Sequence, residues 1–211
     1  MAPKFEILRM PPENTNSVLV SSGADAIIFD PWGRADDWAR TLDARHLIPR
    51  ALFATHAHPD HICAAPDLCA RYNIPLYVAQ ADASLIGWGN EILDMFDLPR
   101  IGANVPTRDI VLGRSQPLAG LDMDVWAAPG HTPGGRMFYF PAHHILLTGD
   151  TLFRDGFGRY DFPGGDRDAL FESISTLYNK NLPADTYVVH GHGPDSTIES
   201  LLRTNPYFKA Y

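Results

Sequence analysis

The chain has few of the features that indicate a membrane, a disulfide framework or a nucleic-acid partner. Its 211 residues include two cysteines, no apolar run long enough to span a bilayer, and no signal-peptide core near the N-terminus. The 17 basic residues are outnumbered by 25 acidic ones, so the net charge is −8, and no run of Lys or Arg supplies a basic patch. These absences argue against membrane and nucleic-acid partners and predict a cytoplasmic protein, while its oligomeric state stays open.

The composition is that of a globular enzyme. Hydrophobic residues make up 45% of the chain and charged residues 20%, and 211 residues suffice for one domain with a large core. We therefore predict a single domain over residues 1–211. Cys63 and Cys69 are six positions apart and cannot pair locally, so we expect them to be small buried hydrophobic residues in a reducing compartment.

What the chain does have is a series of metal-ligand residues placed where strands end. Side chains two positions apart on an extended chain share a side, which lets His56 and His58 bind one ion, and Pro59 favours the extended conformation before it. Asp60 and His61 follow where the chain turns into a helix, directed at a neighbouring point. The full series is His56, His58, Asp60, His61, His131, Asp150 and His190.

Five imidazoles and two carboxylates form a nitrogen and oxygen ligand set that suits zinc and tolerates iron or manganese. Two divalent ions about 3.5–4 Å apart could be held if Asp150 bridges them. A water shared by two such ions is deprotonated near neutral pH and becomes a nucleophile, so no catalytic serine or cysteine is required. The alternative is that these histidines are ordinary polar residues on the surface. A complete cluster of this kind disfavours that interpretation.

The motifs THAHPDH, PGHTPGG, TGDTLF and VVHGHGP resemble those of the metallo-β-lactamase-fold hydrolases, over nearly the whole chain. The segments FGRYDFPGGD and GHGPDSTIESLLRTNPYF are similar to the short, single-domain glyoxalase II-like branch. This resemblance implies the αββα metallo-β-lactamase sandwich, an α/β (α+β) fold with two β-sheets flanked by helices. Composition alone predicts only a mixed α and β protein.

The resemblance also implies a role for each ligand. Asp30 matches a family aspartate that supports the site from behind. His192, two positions after His190, could reach the rim of the site, with a surface or supporting role as the alternative. Gly135 departs from the family, where many members have a histidine that is not a ligand. Asp60 would be catalytic as well as a ligand, by orienting the attacking hydroxide. The implied assignment is His56, His58 and His131 on one metal, Asp60, His61 and His190 on the other, and Asp150 bridging both.

The function implied is a dinuclear thioesterase of the hydroxyacylglutathione hydrolase type, with a metal-bridging hydroxide and a small-molecule substrate. Arg159 and Tyr160 are the candidate substrate contacts. Arg159 matches a basic family position that contacts the glutathione carboxylate, and a guanidinium suits that role. An ion pair with Asp161 or Asp166 is the alternative for Arg159. The C-terminal glutathione-binding helical domain of the two-domain enzymes has no counterpart in the 211 residues.

Other activities are compatible with the same motifs. An iron-dependent persulfide dioxygenase would hold one iron through His56, His131 and Asp150. Another member of the fold could hydrolyse an ester, lactone or amide. A true β-lactamase is disfavoured, because a bridging aspartate is foreign to the common lactamase ligand sets.

Hydrophobic periodicity predicts the secondary structure. The stretch 82–109 is expected to be a partly helical flap or an ordinary surface excursion. The helices are expected at Ala35–Arg45, Arg167–Tyr178 and Ser196–Arg203. The strands are expected at Phe5–Arg9, Ser17–Val20, Ala26–Asp30, Ala51–Ala54, Leu76–Ala79, Asp109–Leu112, Met123–Ala127, Arg136–Phe140, His144–Leu147 and Thr186–Val189.

Overall fold

The computed structural model describes residues 2–12, 15–102 and 104–210. The chain divides into two compact units. The first comprises Met1–Ile110 and Gln116–Leu121, and the second comprises Val111–Ser115 and Asp122–Tyr211. The expectation of one domain over residues 1–211 stays a prediction.

The first unit contains a six-stranded sheet whose strands follow each other in sequence order. The first three strands are antiparallel neighbours, and each later strand joins its predecessor in parallel. The strands are β1 (Lys4–Leu8), β2 (Ser17–Ser22), β3 (Asp25–Phe29), β4 (Ile48–Phe53), β5 (Leu76–Tyr77) and β6 (Thr107–Arg108). The helices are α1 (Ala35–Ala44), α2 (Pro59–Ile62), α3 (Ala65–Tyr72) and α4 (Glu91–Met95).

The core of this unit lies between the sheet and its helices. Helix α1 buries Trp38 and Leu42, which are four positions apart and so share one helix face. Strands β3 and β4 pair in parallel with Phe29 opposite Phe53, and the Asp30 amide donates to the Phe53 carbonyl over 2.8 Å. Because parallel strands end at the same edge, the residues that follow β3 and β4 become neighbours.

The second sheet has the order β12-β11-β10-β9-β8-β7. Strand β10 pairs in parallel with β11, and helix α5 lies between them in sequence. The strands are β7 (Gly113–Leu118), β8 (Leu121–Ala127), β9 (Arg136–Phe140), β10 (Ile145–Gly149), β11 (Tyr187–His190) and β12 (Ser196–Thr197). The helices are α5 (Arg167–Tyr178) and α6 (Ile198–Thr204).

Helix α5 begins at a capping residue and buries one face. The Asp166 carboxylate accepts a hydrogen bond from the Ala169 amide over 3.0 Å, and Leu170, Ile174 and Leu177 are buried at helical spacing. With 12 residues, α5 is longer than the other described helices, and none of these helices has the length and hydrophobicity needed to cross a membrane. The parallel pairing of β10 and β11 brings Asp150 and Gly191 to the same sheet edge.

Most of the predicted elements are present, and two have the predicted bounds. Strand Arg136–Phe140 and helix Arg167–Tyr178 are confirmed residue for residue. The helix predicted at Ser196–Arg203 begins instead at Ile198, because the preceding two residues pair with β11 as strand β12. Stretch 82–109 is partly helical, as expected, and the Asn90 side chain bonds both the amide and the carbonyl of Ile101.

The strand predicted at Asp109–Leu112 is wrong. This segment is irregular, with Val111 81% exposed, and it connects β6 to β7. Its apolar residues resemble a buried strand, but only Ile110 is buried, whereas Val111 and Leu112 are exposed. The strand β7 that follows was missed because it reads as polar, with a proline at position 117 that an edge strand tolerates.

Both cysteines are free and buried, as expected. Burial raises the pKa of Cys63 to about 12 and that of Cys69 to about 11. Because alkylation requires the thiolate, we predict that iodoacetamide at pH 8 leaves both residues unmodified in the folded protein. Mass spectrometry should detect two modifications only after unfolding in urea, and rapid labelling of the native protein would contradict this prediction.

Candidate metal centre

In the first unit, the loop after β4 carries four of the predicted ligands. His56, His58 and His61 are each at most 5% exposed. The rings of His56 and His58 have centroids 4.8 Å apart, and those of His56 and His61 are 4.1 Å apart. His58 is extended (φ −69°, ψ 148°) before the proline that starts α2, as the sequence predicts.

Asp60 and His61 lie in the first turn of α2, and their ligand atoms are within 4.8 Å of each other. The hydroxyl of Thr15 donates to the Asp60 carbonyl over 2.6 Å and so ties this turn to the chain before β2. The spacing of Asp60 and His61 predicted that their side chains would be directed at a common point. The structure places their ligand atoms close together, as expected.

Asp30 fixes the orientation of two of these imidazoles. Its backbone is left-handed (φ 48°), and its carboxylate accepts from the Thr55 amide over 2.7 Å and from the Thr55 hydroxyl over 2.9 Å. The second oxygen is also 3.0 Å from His61 Nδ1. Since the Thr55 hydroxyl gives its proton to Asp30, it accepts from His56 Nδ1, 3.1 Å away. The His56 imidazole therefore carries its proton on Nδ1 and presents the lone pair of Nε2.

Asp82 is a supporting residue that the sequence analysis missed. It is fully buried at the start of the stretch 82–109, and its carboxylate accepts a hydrogen bond from the Ala57 amide over 3.1 Å. The bond holds the backbone between His56 and His58. No local pattern distinguishes this aspartate from other acidic residues, because its partner lies 25 positions earlier in the chain.

In the second unit, two histidines contact the carboxylate that follows β10. Nε2 of His131 is 3.6 Å and Nε2 of His192 is 3.4 Å from the same Oδ2 of Asp150. His131 donates from Nδ1 to the Arg159 carbonyl over 2.6 Å, so its Nε2 also presents a lone pair. A Cβ at Gly158 would be 1.7 Å from the Asp150 carbonyl, so only glycine allows this close packing.

His190 has partners of its own in the same unit. Its Nδ1 donates to the Leu152 carbonyl over 2.6 Å, with the Thr148 hydroxyl 3.1 Å away, and its Nε2 is 2.8 Å from the Ser196 hydroxyl. Burial lowers the pKa of His190 to about 4, so the ring is neutral at physiological pH. This arrangement differs from the sequence interpretation, which placed His190 on the metal and His192 behind it.

A pocket of about 440 Å³ opens beside these ligands in the second unit. Arg159, one of its lining residues, pairs with Asp161 through two contacts of 2.8 and 2.7 Å, and its guanidinium lies 3.7 Å from the Phe162 ring centre. The Arg159 guanidinium lowers the pKa of Asp161 to about 2. The structure thus forms the ion pair with Asp161, whereas Asp166 caps α5. The lining residues are Phe157, Gly158, Arg159, Tyr160 and Asp161.

Comparison with protein families identifies the fold. The model of the metallo-β-lactamase superfamily matches residues 10–192. The chain belongs to this superfamily. Its architecture of two mixed β-sheets flanked by helices is the αββα metallo-β-lactamase fold predicted from the motifs, and the chain is a metallo-hydrolase of that fold.

Three similar proteins illustrate the range of this superfamily. Hydroxyacylglutathione hydrolase GloC of Haemophilus influenzae is 33% identical, with 92% of each chain covered. The BLEG-1 B3 metallo-β-lactamase structure has a TM-score of 0.86 and 30% identity over 97% of this chain and 99% of its own. The structure of TTHA1623 in a di-iron-bound form has a TM-score of 0.82 and 34% identity over the same shares of the two chains.

The donor atoms of both units fit the divalent ions that the metallo-β-lactamase fold implies. His56 and His131 each hold a proton on Nδ1 through a fixed acceptor, and His61 Nδ1 lies 3.0 Å from the Asp30 carboxylate. The lone pair of His131 Nε2 therefore faces a carboxylate oxygen, an arrangement that a cation stabilises. Such orientation by outer partners is typical of histidines that bind metals. The donors suit zinc and also iron or manganese.

The role of Asp30 can be tested with a substitution that preserves its backbone. Asn tolerates φ 48°, so Asp30→Asn removes the carboxylate and little else. We predict that it weakens metal affinity about 10- to 100-fold, the usual cost of losing such a partner, in competition with a chromophoric chelator. The exposed Asp25, paired with Arg50, provides the control Asp25→Asn. Equal affinity in the two variants would contradict the role given to Asp30.

Proposed function

We propose that the protein is a dinuclear metal-dependent thioesterase of the hydroxyacylglutathione hydrolase type. The observation that carries the proposal is the approach of His131 and His192 to one oxygen of Asp150, beside an open pocket in the same unit. The relation to GloC, at 33% identity over 92% of both chains, supports the thioester class.

The ligand loop of the first unit and the histidines around Asp150 are proposed to form one centre. In this proposal His192 takes the place that the sequence interpretation gave to His190, because both nitrogens of His190 have hydrogen-bond partners. Zinc is the preferred metal, with iron or manganese as alternatives. The proposed ligands are His56, His58 and His131 on one ion, Asp60, His61 and His192 on the other, and Asp150 bridging both.

Two such ions would supply Lewis acidity and lower the pKa of a water toward neutrality. Asp60 would orient this water by accepting its hydrogen bond. His131 is held by the Arg159 carbonyl, which belongs to the pocket lining, so the ligand and the pocket wall share one backbone segment. A thiolate is a good leaving group, so the hydrolysis of a thioester needs no strong general acid.

The pocket lining suits a substrate that has a carboxylate beside apolar atoms. Phe157 and Tyr160 stack with their ring centres 6.3 Å apart, and Arg159 lies next to them with its guanidinium plane over Phe162. A substrate carboxylate would replace Asp161 as the partner of Arg159. Because the present ion pair is exposed and such pairs stabilise a protein little, this exchange has a small cost.

The choice between His190 and His192 is decided by two single variants. We predict that His192→Ala loses bound metal, measured by elemental analysis after gel filtration, because it removes a ligand. His190→Ala should keep both ions and lower the melting temperature, because the Leu152 carbonyl and Ser196 lose a buried partner. Metal loss in His190→Ala alone would restore the sequence interpretation.

The activity is tested on a panel of thioesters, with S-lactoylglutathione first. We predict hydrolysis that a chelator abolishes and that added zinc restores, detected through release of the free thiol. Asp150→Asn, which leaves the size of the side chain unchanged, should be inactive and provides the matched control. A fully metallated protein that cleaves none of the thioesters would rule out this function.

A second candidate is β-lactam hydrolysis, which the similarity to the BLEG-1 B3 metallo-β-lactamase favours. The proposed bridging role of Asp150 would favour the thioesterase, and a cephalosporin assay beside the thioester panel separates the two. A content of one iron per chain, with oxygen uptake on glutathione persulfide, would instead indicate the dioxygenase.

A further inference from the structure

Residues 205–208, here called the NPYF segment, follow helix α6 and contact the loop after Asp150. Asn205 is buried, and its side-chain amide makes three hydrogen bonds. Its Nδ2 donates to the carbonyl of Phe153 over 2.8 Å and to that of Gly156 over 3.0 Å. Its Oδ1 accepts from the Tyr207 amide over 2.8 Å. The two N–H groups of the Asn205 amide therefore bind a segment that lies about 50 residues earlier in the chain.

The loop that Asn205 joins is a tight hairpin. The Phe153 amide donates to the Gly156 carbonyl over 3.0 Å, and Leu152 bridges Phe157 in antiparallel fashion. Asn205 Nδ2 donates to the Phe153 carbonyl and also to the Gly156 carbonyl, which accepts from the Phe153 amide as well. One side chain therefore binds both ends of the turn. The hairpin begins two residues after Asp150, and its geometry decides where the next residues lie.

Those next residues hold the proposed metal ligands. After the hairpin, Gly158 packs against the Asp150 carbonyl, and the Arg159 carbonyl accepts from His131 Nδ1. Before the hairpin turn, the Leu152 carbonyl accepts from His190 Nδ1. A shift of the hairpin would therefore move the acceptor that orients His131.

Aromatic packing anchors the NPYF segment against the same hairpin. The Tyr207 ring meets Phe157 edge-to-face with centroids 4.6 Å apart, and Phe157 also meets Phe171 of α5 at 5.0 Å. The buried Phe208 meets Tyr178 at 5.6 Å. The rings of Phe157, Phe171, Tyr178 and Phe208 belong to the core of the second unit, whereas Tyr207 is 38% exposed. The buried Phe208 therefore fixes the NPYF segment, and with it Asn205, against this core.

We propose that Asn205 is a positioning residue of the metal centre, which fixes the 152–157 hairpin so that the Arg159 carbonyl orients His131 beside Asp150. The inference rests on the proposed function, because it takes His131 and Asp150 as metal ligands. Asn205 acts through backbone carbonyls and does not touch the metal or the substrate.

Asn205→Asp is the decisive variant. An aspartate keeps the size of the side chain and the acceptor for the Tyr207 amide, but it cannot donate to the two carbonyls. Asn205→Ala removes the same donors without adding a charge. Asn179 is exposed just after α5, so Asn179→Asp and Asn179→Ala are matched controls. Zinc affinity is measured by chelator competition on the full chain, and the melting temperature is measured with and without zinc.

We expect both Asn205 variants to bind zinc about 10- to 100-fold more weakly than the wild type, as for other partners that orient metal ligands. The controls should keep the wild-type affinity. Wild-type affinity in either Asn205 variant, with only a lower melting temperature of the metal-free chain, would overturn the proposal, because a purely structural residue gives that result. If the wild type itself binds no zinc, iron or manganese, the proposed function fails as well.

Discussion

The proposed metal centre depends on one constraint, which is that each ligand imidazole must offer a lone pair in a fixed direction. A neutral histidine can do so only if its other nitrogen is held by an acceptor. Asp30 supplies that acceptor for His56 through the Thr55 hydroxyl, and its carboxylate also lies 3.0 Å from His61 Nδ1. The Arg159 carbonyl supplies it for His131. The acceptors are buried or part of the backbone, so the rings have little freedom to turn.

The acceptors are in place because of how the strands pair. In the first unit, β3 and β4 are parallel with ends in register, so Asp30 and Thr55 meet although they are 25 residues apart. In the second unit, β10 and β11 are parallel, which brings the turns after both strands to one edge. Neither the carboxylates nor the carbonyls could orient the rings without these pairings, so the sheet topology determines the chemistry of the site.

The sequence predicted the features that depend on neighbouring residues. The ligand loop from His56 to His61 could be read from spacing, because the extended chain and Pro59 determine which side chains share a side. Features that join distant segments could not be read in this way. Asp82 and Asn205 have partners 25 and about 50 positions away, and no local pattern marks them. The resemblance of the motifs supplied the αββα fold, which periodicity alone did not.

The positions of His190 and His192 show a different limit of local reasoning. The two are separated by one glycine, so either could follow β11 toward the sheet edge. The strand includes His190, which places that ring in the interior with Leu152 and Ser196, while His192 follows in the turn. A shift of two positions along the chain therefore decides which ring is buried and which ring lies against Asp150. Burial depends on the packed structure, so the local sequence does not reveal it.

The ligand side and the pocket side of the second unit differ in how firmly they are held. His131 and Asp150 are at most 9% exposed. The Asp150 carbonyl lies so close to Gly158 that position 158 has no room for a side chain. The Arg159–Asp161 pair, in contrast, is exposed and contributes little to stability. Substitutions in the pocket lining can therefore alter which substrate is bound without disturbing the proposed metal ligands. This separation gives a physical reason why similar chains of this superfamily include both a hydroxyacylglutathione hydrolase and a B3 β-lactamase.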